Sequence, residues 1–112
     1  MNKIKEHTNK IFEDIKHIDE FGNEYWLARE FQVALEYVQW RRFNEVINRA
    51  LIACDNSGMD IKNHFAEVGK MVEIGSGAKR KQIDYKLSRY ACYLIVQNSD
   101  PRKDVVALGQ TY

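Results

Sequence analysis

Residues 71–90 read MVEIGSGAKRKQIDYKLSRY, and the fold turns on how this stretch is interpreted. Val72 and Ile74 flank Glu73, while Ile83, Tyr85 and Leu87 alternate with Asp84 and Lys86. A period of two marks strands, because successive side chains of an extended chain point to opposite faces. The link between the two runs, GSGAKRK, is rich in glycine and cations. The stretch is therefore predicted to be a β-hairpin with a basic connection. If Val72 and Ile74 turn inward with Ile83, Tyr85 and Leu87, then Glu73, Asp84 and Lys86 share the polar face.

Three chemistries can be asked of such a hairpin. A nucleotide-binding loop needs G-x-x-x-x-G-K-[ST], with the lysine on the terminal phosphates and the hydroxyl on Mg²⁺. Here Gly75 and Gly77 precede Ala78-Lys79-Arg80 and no hydroxyl residue follows the lysine, which excludes it. Metal-dependent nucleases set an acid on one strand and a [DE]-x-K triplet on its neighbour, so that two carboxylates hold a cation and the lysine orients water. Asp84-Tyr85-Lys86 has that form with Glu73 upstream, which makes Glu73, Asp84 and Lys86 a candidate nuclease group. An ordinary cross-strand ion pair of Lys86 with Glu73 would account for the same residues without any chemistry.

The third reading uses the cations themselves. Lys79, Arg80, Lys81, Lys86 and Arg89 fall within residues 79–89, where Asp84 alone opposes them. Laid along a phosphate backbone, each would release counterions and add sequence-independent affinity. Tyr85, Tyr90 and Tyr93 lie close enough in sequence to stack on bases. A solvated loop tip is the plain alternative.

Working outward, YVQWRRFNEVINRA puts Arg41, Arg42 and Arg49 on the polar side of an amphipathic helix. Its apolar positions are Phe43, Val46, Ile47, Ala50, Leu51 and Cys54, at helical spacing. Arg42 and Arg49 share one face and form a second candidate nucleic-acid patch, while Trp40 reads as a core anchor. DNSG, with Gly58, stops this helix. An earlier helix is expected from Ala28 through Phe31, Ala34, Leu35 and Val38, and Gly22-Asn23 marks a first hairpin before it. Ser88 is expected to cap a helix through Ala91, Leu94 and Ile95, and Asp100-Pro101 to open another. The apolar stripe of that last helix, Val105, Leu108 and Tyr112, meets no stop signal, so the chain is expected to be the front part of a longer protein.

With 112 residues, 45% hydrophobic and 29% charged, the chain has the composition of a single globular domain. The net charge of +1 means that any pull on nucleic acid has to come from a local patch. No apolar run is long enough to span a bilayer. Cys54 and Cys92 read as buried reduced thiols. His7, His17 and His64 have no ligand-type partners at metal-binding spacing, and no serine or cysteine sits in a nucleophile–base pattern. No cofactor, metal or small-molecule substrate is expected. The fold expected is α+β over residues 1–112: two short β-hairpins forming a small antiparallel sheet packed with about four helices. Its core should hold Trp26, Leu27, Phe31, Leu35, Val46, Ile47, Leu51, Ile83, Leu87, Leu94 and Ile95.

Three segments carry a resemblance: IFEDIKHIDEFGNEYWLAREFQVALEYVQWRRF, NRALIACDNSG and HFAEVGKMVEIGSGAKRKQIDYKLSRYACYLIVQNSDPRKDVVALGQTY. Together they resemble the N-terminal part of the bacterial DNA-damage-inducible protein D family. EYWLAREFQVALEY also resembles, more distantly, the start of the Bro-N domain of phage and baculovirus proteins associated with DNA binding. The resemblance implies a longer cytoplasmic, nucleoid-associated protein of the SOS response, with the RecA filament as one partner. It transfers no catalytic residue. The expected function is non-enzymatic binding of DNA, or of a recombinase–DNA filament, through the basic hairpin. The contacts would be Lys79, Arg80, Lys81, Lys86 and Arg89, with Arg42 and Arg49 secondary. The nuclease-like domain and a protein-binding module without DNA contact are the alternatives.

Overall fold

The computed structural model describes residues 12–100 and residue 102. His7 and the expected C-terminal helix with Val105, Leu108 and Tyr112 lie outside these residues. A helical turn, α1, covers residues 12–15. It is followed by strands β1 (His17–Ile18) and β2 (Glu24–Leu27) and helices α2 (Ala28–Ala34), α3 (Trp40–Asn56) and α4 (Ile61–His64). Strands β3 (Phe65–Glu73) and β4 (Lys79–Leu87) and helix α5 (Arg89–Gln97) complete the order. The strands form one antiparallel sheet in the order β1-β2-β4-β3, which is the α+β arrangement expected. β2 joins the two hairpins by lying beside β4, Trp26 opposite Leu87 and Leu27 opposite Lys86.

Local chemistry explains where most elements start and stop. The first turn closes because the Asp19 carboxylate accepts the N–H groups of Phe21 and Asn23, and Gly22 takes φ 83°. Ser88 caps α5, its Oγ accepting the Ala91 N–H at 3.0 Å. α2 is shorter than its periodicity suggests. It ends at Ala34, and Glu36, at φ 64°, redirects the chain so that Leu35 stays buried while Val38 is 94% exposed.

Helix α5 packs on β2 and β4 at the sheet face that carries Trp26, Phe65 and Leu87, and α3 packs on α5. The core joins these to Phe31, Leu35, Phe43, Val46, Ile47, Leu94 and Ile95. Trp26 is fully buried, and its indole N–H donates to the Phe12 carbonyl at 2.9 Å, so the large ring brings no unmet polar group inside. Leu27 is half-buried, and Leu51 packs against the core from its edge. Cys54 and Cys92 are buried free thiols, and burial pushes the pKa of both upward.

One expectation about the second hairpin fails. Ile83 is 41% exposed and outside the core, and Val72 and Ile74 do not share its face. Glu73 pairs with Lys79 and Val72 with Arg80, so odd-numbered residues meet odd and even meet even. Val72 therefore lies on the side opposite Ile83, Tyr85 and Leu87. Loop length sets this parity, and a connection one residue longer or shorter would have reversed it.

Candidate nucleic-acid interface: a basic ribbon arm

β3 and β4 have nine residues each, which makes a ribbon about 30 Å long. Only Phe65 and Leu87, at its base, are buried. Residues 69–71 and 73–81 are exposed, so the distal ribbon stands out from the body as an arm. At its tip the Ile74 N–H donates to the Ala78 carbonyl and the Ala78 N–H to the Gly75 carbonyl. The chain turns through Gly75, Ser76 and Gly77 at φ 103°, 49° and 78°. Glycine at 75 and 77 adopts this left-handed backbone without a Cβ clash, which is why the tip can be so tight.

Strand pairing sorts the cations by face. Lys70 stands opposite Gln82, Val72 opposite Arg80 and Ala66 opposite Lys86, all on the even face. On the odd face Lys79 stands opposite Glu73 and Lys81 opposite Met71. The Lys81 stem lies over Gly69, where an added Cβ would come within 2.6 Å of Lys81 Cε. Lys79, Arg80 and Lys81, one cluster in the sequence, are thus divided between two faces. Lys70 escapes sequence reasoning because it belongs to the other strand; only the register brings it next to Gln82.

At the foot of the arm the Asp84 carboxylate accepts the Arg29 N–H at 3.0 Å and the Tyr85 N–H at 2.8 Å. Leu27, at the N-cap of α2, has no side-chain oxygen to offer, so Asp84 caps the helix from a different strand. The Arg29 side chain donates through Nε to the Ile83 carbonyl, and its guanidinium lies 3.8 Å from the centroid of the Trp40 ring. Burial pulls the Arg29 pKa down, Asp84 opposes that, and the charge of Arg80 pulls it down further. Arg29 and Arg80 therefore feel each other's charge. Arg29 is a residue that no sequence pattern marks.

The remaining expected contacts are dispersed. Lys86 lies 4.8 Å from the Tyr25 ring centroid, and the His17 ring stacks on the same tyrosine. Arg89 is at the end of the sheet away from the tip. It donates to both Glu24 oxygens at 2.7 and 3.1 Å, comes within 3.6 Å of Glu13, and lies over Trp26. The hydrogen bond to Glu24 raises the guanidinium pKa, and it holds the Glu24 carboxyl below its usual range. Arg42 and Arg49 line an open depression with Tyr37, Glu45 and Asn98, to which no arm residue contributes. Arg49 donates there to the Asn98 carbonyl. Of the tyrosines considered for stacking, Tyr85 and Tyr90 are half-buried against the core and Tyr93 projects from α5.

The nuclease grouping does not assemble. Glu73 pairs with Lys79 and Asp84 with Val68, five positions along the ribbon and so about 17 Å away, on opposite faces. Two carboxylates on one cation need oxygens within about 5 Å of each other, since each bonds the ion at about 2.0–2.6 Å. Among the described residues no group of three His, Cys, Asp or Glu side chains is placed to hold a metal ion. Among them, too, no helix is long and apolar enough to cross a membrane.

Fold and arm together define an α+β domain that presents an exposed, cationic β-ribbon. The chain belongs to the BRO family, whose N-terminal domain matches residues 14–109. It is also similar to DNA damage-inducible protein D of Escherichia coli (strain K12), with 52% identity over 109 residues. That alignment takes in 97% of this chain and 39% of the relative, so the chain spans well under half of that protein's length. No solved structure matches it.

Proposed function

We propose that this domain is a non-enzymatic DNA-binding module of a cytoplasmic, nucleoid-associated protein of the bacterial DNA-damage response, and that the β3–β4 arm is its contact. The arm carries the reading: Lys70, Lys79, Arg80 and Lys81 are exposed on a ribbon that packs against the body only at its base. Such a ribbon can lie along a phosphate backbone, where counterion release gives affinity even to a chain of net charge +1. Membership of the BRO family and the name of the protein D relative support the setting. Docking on a RecA filament is proposed for the longer protein, in keeping with the protein D resemblance.

The test is fluorescence anisotropy with oligonucleotides over a salt series, using the chain and the variant K70A/K79A/R80A/K81A. Affinity should fall steeply with salt, and the variant should flatten the slope by about 0.9 for every duplex phosphate that its side chains no longer neutralise. An unchanged slope, or no binding at low salt, would exclude the arm.

A further inference from the structure

We infer that the arm has one reading face: Lys70, Val72, Arg80 and Gln82 lie against base edges in the major groove of duplex DNA, Arg29 at the foot meets an adjoining phosphate, and Lys79 and Lys81 point away. This rests on the arm being the DNA contact. The two faces differ in charge although their sequence is interleaved. On the odd face Glu73 stands opposite Lys79, and Lys81 runs over Gly69 toward the base, where Glu67 is the next side chain of β3 on that face. The formal charges of that face, two lysines and two glutamates, therefore cancel. On the even face of the ribbon the carboxylate is Asp84, and its Oδ1 accepts two backbone N–H groups. Lys70, Arg80 and Lys86 share that face with this one carboxylate, a formal excess of two, and Arg29 is tied to its foot through Asp84 and the Ile83 carbonyl.

Dimensions and chemistry choose the kind of nucleic acid. Lys70–Gln82 and Val72–Arg80 are directly opposed pairs, so the four side chains mark a patch about 5 Å across and 7 Å along the ribbon. The long side matches two base-pair rises of about 3.4 Å. A two-stranded ribbon enters the major groove, about 12 Å wide, and is too broad for a minor groove of about 6 Å. Arginine pairs with guanine O6 and N7, glutamine with adenine N6 and N7, and an apolar side chain with the thymine methyl, so this patch is equipped for base edges. Single strands are held instead by stacking on aromatic rings. The even face of the distal arm has none; at its foot the Trp40 ring is covered by the Arg29 guanidinium, and Tyr25 is flanked by His17 and Lys86.

The experiment compares K70A/R80A/Q82A with K79A/K81A on the 112-residue chain, against duplex and single-stranded oligonucleotides drawn from a pool selected for binding. Methylation of guanine N7 is read as interference, and melting curves confirm that both variants are folded. The reading-face variant should lose duplex affinity tenfold or more and its sensitivity to N7 methylation, while K79A/K81A should lose several-fold less and keep that sensitivity. N7 methylation should block binding of the unaltered chain. Equal losses in the two variants, no N7 interference or tighter binding to single strands would overturn the inference and leave the arm as a backbone contact. Binding that neither variant weakens would remove the arm altogether, and absence of any binding would remove both conclusions.

Discussion

Asp84 and Glu24 are both strand carboxylates, and their surroundings give them different work. Asp84 satisfies an N–H of α2 that no local side chain reaches. Asp84→Ala should therefore cost about 0.5–2 kcal/mol, the usual loss for an N-cap, while Asp84→Asn, which keeps an oxygen, should cost less. Urea midpoints of the two variants compare these losses, and equal small losses would show that water replaces the cap. Glu24 is held below its ordinary value near 4.5 by the hydrogen bond from Arg89. A carboxyl with a lowered folded-state pKa contributes stability above its unfolded value, and that contribution is lost as pH falls through the lower folded one. Acid melting curves should therefore steepen below about pH 4.5, and Glu24→Gln should flatten that limb. The effect should stay under about 1 kcal/mol, because the Arg89 side chain is 62% exposed and solvent screens the pair.

At the scale of the element, the arm and the body should behave as separate units of stability. Phe65 and Leu87 tie the ribbon to the core, and beyond Ile83 its hydrogen bonds face water on both sides. Amides of residues 70–73 and 79–82 should exchange faster than those of residues 46–50 and 92–96, which lie in α3 and α5. Uniform protection along the ribbon would mean that the arm is covered in solution. Register makes a second prediction. Phe65→Ala removes a core side chain and should cost about 3–5 kcal/mol, whereas Ile83→Ala should cost about 1 kcal/mol or less. The inward placement of Ile83 read from alternation alone would have made both costs large. Thermal or urea unfolding tells them apart.

For the whole molecule, the near balance of charge makes location decisive. A chain of net charge +1 attracts nucleic acid through a patch, and the cations considered as contacts lie in three places. Arg42 and Arg49 flank the depression on α3, Arg89 is paired with Glu24 and Glu13, and the rest lie on the arm or, as Arg29 of α2, at its foot. R42A/R49A should therefore leave the salt slope of DNA binding unchanged, in contrast to the arm variants. A slope reduced by about 0.9 per arginine would place a second contact on α3.

The amino-acid sequence by itself determined the two hairpins, the turn at Gly22, the cap at Ser88 and the run of α3, because periodicity, turn residues and capping oxygens act within a few residues of one another. It also showed that the second hairpin is basic. The tertiary structure alone decided which way that hairpin faces. Alternation is compatible with either parity, and the five residues of the tip, 74–78, choose between them through Glu73–Lys79 pairing. That choice divides Arg80 from Lys79 and Lys81, brings Lys70 beside Gln82 and separates Glu73 from Asp84. Arg29 and Asp84 lie 55 positions apart in the chain and meet only when β2 docks against β4 and α2 begins there. Local signals read from neighbouring residues carry no information about such a meeting. Packing supplies it, and packing turns the candidate catalytic aspartate into a helix cap.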